Sequence, residues 1–99
     1  MKQNSAHIII FNGKNEVLLV KRAKNDEWMP SKFAIPGGKR ERGETLLQNV
    51  ARETLEEVGL TLKQDKIKFL PKVSKKFDHC FFMTRQFTGN VVLRRQRTQ

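Results

Sequence analysis

Glu53, Glu56 and Glu57 stand at positions i, i+3 and i+4 of a segment with helical spacing, so their side chains share one helix face. Three like charges at that spacing repel one another. They also fall in the last turns of the segment, where the helix dipole disfavours anions. Each effect costs only a few tenths to about 1 kcal/mol, but both have the same sign. Position 57 is itself a glutamate, so no lysine one turn on compensates Glu53. A divalent cation would reverse both terms, and clustered carboxylate oxygens are hard ligands suited to Mg²⁺ or Mn²⁺. The chemistry such a set supports is metal-assisted attack of water, with a carboxylate as general base. Taken alone, a Glu-rich helix face is more often a solvated surface.

A helix over Leu46 to Val58 must carry these residues. Thr45 and Gln48 have capping-box spacing, and Gly59 stands where a C-terminal glycine ends a helix. At about 100° per residue, Leu47, Ala51, Thr54, Leu55 and Val58 form an apolar stripe that predicts the sheet-facing side, with the glutamates opposite. Ahead of the helix, His7 to Phe11 and Glu16 to Lys21 read as strands joined by a turn at Asn12-Gly13. Both are apolar on successive residues, which predicts a sheet covered on both faces. Phe33-Ala34-Ile35 is a short apolar segment running into the breaker Pro36-Gly37-Gly38. After the helix, Ile67 to Val73 and Phe77 to Phe87 are predicted strands, Thr88-Gly89-Asn90 a turn, and Val91 to Arg94 the start of a last strand. The order is strands, one helix, strands, an α+β arrangement.

Ninety-nine residues allow one domain, residues 1–99. The only cysteine, Cys80, permits no internal disulfide and fits a reducing compartment. The opening Met1-Lys2-Gln3-Asn4-Ser5 lacks the apolar core of a signal peptide, and the longest apolar runs are too short to span a bilayer. A soluble cytoplasmic protein without a membrane partner is expected. The net charge of +10 is uneven: up to Gly59 there are ten basic residues against eight acidic, and from Leu60 onward ten against two. Such a surface suits polyanions, although a solubilising face with no partner accounts for it equally well.

The surroundings of the glutamates decide between surface and site. From Gly38 the chain runs five residues to Glu44, seven more, and then Arg52-Glu53-Thr54-Leu55-Glu56-Glu57-Val58-Gly59-Leu60. This segment, residues 38–60, resembles the Nudix box. All seven fixed residues of the pattern match, and Thr54 at one aliphatic position is the single departure. At average residue usage a chance match at one site is about one in 10⁸. The strand pair, the loop carrying Trp28 and Ala34-Ile35-Pro36-Gly37-Gly38 are similar to the amino-terminal two-thirds of a Nudix domain. The resemblance implies the Nudix fold, a mixed β-sheet with the box helix on one face, with the family's C-terminal helix missing from this chain. It implies a MutT-like, metal-dependent hydrolase that cleaves the diphosphate linkage of nucleoside diphosphate derivatives. Glu53, Glu56 and Glu57 would ligate Mg²⁺ or Mn²⁺, one of them serving as or orienting the base. A carbonyl of Gly37 or Gly38 would add a ligand. Arg52 would orient the glutamates, Glu44 would hold Arg52 or join the metal shell, and Arg22 and Lys39 would contact phosphate.

The remaining candidates stay open. His79 and Cys80 are neighbours on a predicted strand and point to opposite faces, which argues against a dyad. Cys80 reads as a small core residue. His79, sharing a face with Phe77, Phe81 and Met83, reads as a core or cleft-wall residue. Trp28 either plugs the core or stacks on a base. Lys75-Lys76 and Arg94-Arg95 are solvated charges first and RNA contacts second. A second reading of the chain is therefore a catalytically weak Nudix-fold module that binds nucleotide or RNA. Finally, one amphipathic helix covers only one sheet face, which predicts self-association, most simply as a twofold homodimer.

Overall fold

The computed structural model describes residues 4–21 and 32–92. Strand β1 (Ser5–Ile10) is followed by β2 (Val20–Lys21), β3 (Phe33–Ala34), β4 (Gly37–Lys39) and helix α1 (Leu46–Val58). After α1 come β5 (Thr61–Leu62), a 3₁₀ turn (Gln64–Lys66), β6 (Lys68–Phe69), helix α2 (Pro71–Phe77), β7 (Cys80–Thr84) and β8 (Phe87–Thr88). The central sheet has the order β4-β1-β7-β6. β1 and β7 run parallel, and the other two pairings are antiparallel, so the sheet is mixed and the fold α+β. β2 with β3 and β5 with β8 form separate antiparallel pairs.

β1 ends in three consecutive β-branched isoleucines, Ile8 to Ile10, and its even positions face the main core. Ala6, Ile8 and Ile10 stand beside Cys80, Phe82 and Thr84 of β7 and pack with Val50, Val58, Leu60 and Leu62. Cys80 is buried there as a small apolar residue, and desolvation pushes its thiol pKa upward. Helix α1 has the predicted ends. The Thr45 hydroxyl accepts from the Gln48 N–H at 3.0 Å, and the Gln48 side chain accepts from the Thr45 N–H at 2.9 Å. Gly59 closes the helix in the left-handed region at φ 79°, donating to the Leu55 carbonyl.

Several expectations are corrected. The buried face of α1 is rotated from the predicted stripe: Leu55 is 43% exposed, whereas Asn49, Val50, Glu53, Thr54, Glu57 and Val58 are buried. Two of the three glutamates thus turn toward the fold instead of away from it. Apolarity alone does not aim this helix, because α1 lies across β1 and β4 and directs polar groups at the Gly37 strand. The predicted strand from Glu16 narrows to an isolated bridge between Phe11 and Val17 and the short β2. Val17 and Leu19 there are exposed, so that strand is not covered on both faces.

The segment Ile67 to Val73, predicted as a strand, is β6 followed by α2. Pro71 stands in the first turn of α2, where its fixed φ favours helix and its missing N–H costs nothing. The predicted strand Phe77 to Phe87 accordingly begins only at Cys80, with Asp78 in the left-handed conformation closing α2. Val91 and Val92 lie in no strand, and Arg94 is outside the described residues. The premise that the chain offers one helix is also corrected: α2 lies against β7.

Candidate active site

The carboxylates and the glycines meet because α1 crosses β4. β4 pairs antiparallel with β1, placing Gly37 opposite His7, Gly38 opposite Ala6 and Lys39 opposite Ser5. Gly37 adopts φ 155°, and a Cβ added there would fall 2.7 Å from the His7 Cα and closer still to the Ala6 carbonyl oxygen. Only glycine lets β4 lie this near to β1. The Gly37 N–H in turn points at Glu57, whose Oε1 accepts it at 3.4 Å.

Arg52 is the hub of the acidic cluster. Its Nε donates to Glu44 Oε2 at 2.6 Å and its Nη2 to Glu44 Oε1 at 3.0 Å, a two-pronged pair. Its Nη1 donates to both Glu53, at 3.3 Å, and Glu56, at 3.2 Å. Nη2 also reaches the Lys39 carbonyl at 3.1 Å, and Glu41 stands 3.6 Å from Nε. The Arg52 guanidinium holds the Glu44 carboxyl below the usual carboxylate range, chiefly through its hydrogen bond, with the Glu41 N–H assisting. Glu44 in return raises the Arg52 pKa above its already high ordinary value. Glu53 and Glu57 are each 4% exposed. Arg52 thus ties Glu44, Glu53 and Glu56 together, one of them buried.

The structure therefore brings together Glu44, Arg52, Glu53 and Glu56, and sets Glu57 against Gly37. Gly38 lies beside them on β4. Lys39 joins through its backbone carbonyl, while its side chain is exposed. Arg22 and Trp28 lie outside the described residues. His79 is exposed, just before β7, with Nδ1 2.9 Å from the Ser5 hydroxyl, and takes no part in the cluster. The donor types suit a hard divalent cation: three carboxylates on one helix and the carbonyls of a glycine pair. In the arrangement described, the glutamates are spread around Arg52, and no three acidic, histidine or cysteine side chains among the described residues converge on an ion-sized point.

Two residues escaped the sequence reading. Asn49, fully buried on α1, donates through Nδ2 to the Lys39 carbonyl at 3.2 Å, the same oxygen that accepts from Arg52. Its Oδ1 has no hydrogen-bond partner among the described residues. The signal was present: asparagine is a poor residue for a helix interior, and one on a buried turn needs a reason. Glu41 carried no motif. Thr54, the departure from the box pattern, is buried, and its hydroxyl donates to the Val50 carbonyl at 2.8 Å, which satisfies the extra polar atom within the helix.

A mixed sheet with a carboxylate-bearing helix laid over a glycine strand defines a class, and the comparisons with known proteins agree. The chain belongs to the NUDIX domain family, whose model matches residues 1–98. It is 51% identical over 53 residues to the 8-oxo-dGTP diphosphatase of Escherichia coli K12, a match covering 54% of this chain and 40% of that protein. It is 40% identical over 68 residues to the RNA pyrophosphohydrolase of Ruthia magnifica, covering 69% of this chain and 34% of that protein. A solved MutT from a study of Aliivibrio salmonicida and Vibrio cholerae superposes with a TM-score of 0.71 at 28% identity, covering 92% of this chain and 71% of that one. The chain thus spans less than half the length of the two curated relatives. Among the described residues no helix is long and apolar enough to cross a membrane.

Proposed function

We propose that this chain is a metal-dependent pyrophosphohydrolase that cleaves the diphosphate linkage of nucleoside diphosphate derivatives by water attack at phosphorus. The observation that carries the reading is the Arg52-centred carboxylate cluster facing the Gly37–Gly38 strand. Its likeness to a diphosphatase and a pyrophosphohydrolase, both acting on phosphoanhydrides, supports it. Members of the family generally use divalent ions, and Mg²⁺ or Mn²⁺ suits the donors. Glu53, Glu56, Glu57 and a carbonyl of Gly37 or Gly38 would hold the ion, which when bound offsets phosphate charge and lowers the pKa of water. One of these glutamates takes the proton of the attacking water. Arg52, anchored by Glu44, keeps Glu53 and Glu56 on one side of the helix. Lys39 and Arg22 supply phosphate contacts in this reading.

Incubation with Mg²⁺ or Mn²⁺ and a panel of nucleoside triphosphates, nucleoside diphosphate derivatives and capped or triphosphorylated RNA tests it. Release of phosphate-containing products is expected, falling at least about 10²-fold in Glu56→Gln or Glu57→Gln. Full turnover in excess chelator, or in the double glutamine variant, would sink the mechanism. The second reading, a module that binds nucleotide or RNA without turning it over, is favoured by the many exposed lysines after Leu62. Saturable binding with no product from any substrate would select it.

A cytoplasmic setting and twofold self-association belong to the same proposal. The first is supported by the lone, buried thiol, the second by the exposed Val17, Leu19, Phe33 and Phe69. Light scattering at micromolar concentration should show a dimer, and a clean monomer removes that part.

A further inference from the structure

The sheet face turned away from α1 carries a row of rings that starts at the glycine strand and ends among lysines. His7, itself buried, lies beside Gly37, its Nδ1 2.5 Å from where a Cβ at that glycine would sit. The next ring on the parallel neighbour β7 is Phe81, 5.4 Å from His7 between centroids. Phe77 at the end of α2 stands 6.1 Å beyond Phe81, and His79 lies to the side, 5.7 Å from His7 and 6.5 Å from Phe81. The Lys76 ammonium lies 5.5 Å from the centre of the Phe77 ring. Phe77 is 56% exposed. Solubility does not explain a phenylalanine held out at the end of a short helix, after Lys75 and Lys76 and before Asp78.

The segment 63–79 that leads to this row is predominantly, though not wholly, positive. Lys63, Lys66, Lys68, Lys72, Lys75 and Lys76 are all exposed, and no ion pair among the described residues engages them. Lys68, paired with Met83 on the edge strand β6, shares the face of the rings. Within 63–79 the acids are Asp65 and Asp78, the latter exposed beside Phe77, against six lysines. Unengaged lysines attract phosphates, and exposed rings accept bases of any identity by stacking. A lipid surface would want a continuous apolar patch and an acidic peptide would have no use for the rings, whereas a polynucleotide uses both features at once.

We propose that the ring row and α2 form a track for single-stranded nucleic acid, which leads from the Gly37–Gly38 strand across β1 and β7 to Phe77 and the α2 lysines. The bases stack on Phe77 and the lysines contact the backbone phosphates. The placement of the reacting phosphates beside Gly37 rests on the proposed function. The binding surface itself does not.

Fluorescence anisotropy with a labelled 12-mer of single-stranded RNA, and of DNA of the same sequence, tests the track in the presence of chelator, so that turnover plays no part. Wild-type protein should bind both. Lys75→Glu/Lys76→Glu should weaken binding at least about tenfold and shrink the salt slope by about 0.7 per lysine removed. Phe77→Ala should weaken it about 5- to 100-fold, whereas Phe77→Trp, which keeps a stacking face, should bind as well as wild type. Hydrolysis of a mononucleotide is measured separately and should be unaffected by Phe77→Ala. Binding without hydrolysis leaves the track standing and removes the proposed function, and hydrolysis without oligonucleotide binding does the reverse. The track is overturned if Phe77→Ala binds like wild type. It is equally overturned if an acidic peptide, anionic vesicles or duplex RNA bind as tightly as the single strand.

Discussion

The α1–β4 half of the molecule and the β6–α2–β7 half treat charge in opposite ways. Around Arg52, carboxylates are gathered, one of them is buried, and the guanidinium is engaged at every nitrogen. Across the sheet, six lysines stand in solvent with no ion pair among the described residues. A buried charge needs a partner at a defined place, so the chain around it is constrained residue by residue. An exposed charge needs none, so the segment bearing it is free to be strand or helix. The first half should therefore respond to single-atom changes in ways the second half does not.

The largest effect should come at Gly37. Replacing it with alanine puts a methyl group into the backbone of β1 at the Ala6 carbonyl and His7 Cα. A flexible side chain could move aside, but a paired strand cannot. Together with the strained φ, the substitution should cost about 3 kcal/mol or more. In a domain of this size that lowers the melting temperature by on the order of 10 °C or more. A glycine on a chain bend with open space around it, such as Gly13, should tolerate alanine with little change. Similar melting temperatures for Gly37→Ala and Gly13→Ala would break the claim that close approach makes this glycine necessary.

That contrast explains what the sequence revealed. Helix α1 was legible to the residue because the capping box, Gly59 and the glutamate spacing report the same ends independently. That Glu44, Arg52, Glu53 and Glu56 belong together was legible because they stand at the fixed spacing of one motif, whereas Glu41 carries no such spacing. The facing of α1 was not, because the apolar stripe misleads when a helix buries Glu53 and Glu57 to reach β4. α2 was missed for a different reason. Ile67, Phe69 and Val73 alternate as a strand would, while Val73 and Phe77 also satisfy the i, i+4 spacing of a helix. The deciding residue was Pro71, which favours a helix's first turn and leaves β6 only two residues long. Asn49 was overlooked because its role is to share the Lys39 carbonyl with Arg52, a contact between segments ten residues apart that no local pattern records.

A middle-sized effect is expected at the one buried polar residue of α2. The Ser74 hydroxyl donates to the Leu70 carbonyl at 2.6 Å and accepts the Phe81 N–H at 2.9 Å, fastening α2 to β7. Ser74→Ala leaves that N–H buried without its acceptor, a cost of about 1 to 3 kcal/mol. Denaturant midpoints measure it, with the neighbouring exposed Lys75→Ala as the control expected near zero. Equal midpoints for the two variants would show that α2 is held by its apolar contacts alone, and the two halves would then differ more sharply than proposed here.

The smallest effect is electrostatic and has a definite sign. Arg52 holds the folded-state pKa of Glu44 below its ordinary value of 4.5, so the pair stabilises the fold only while Glu44 is ionised. The folded state then binds this proton less readily than the unfolded chain does. The stabilisation is complete above the unfolded pKa and is lost as pH falls from about 4.5 through the lower folded value. Arg52 stays charged throughout, since its own pKa is moved upward. Glu44 is partly open to solvent, so the term should be no more than about 1 kcal/mol. Comparing wild type with Glu44→Gln isolates it, because every other carboxylate titrates in both proteins. The gap between their urea midpoints should be narrower at pH 3.5 than at pH 7. If the gap is the same at both pH values, Glu44 acts on stability through packing and not through its charge. The acidic half would then owe its order to shape, as the lysine half does.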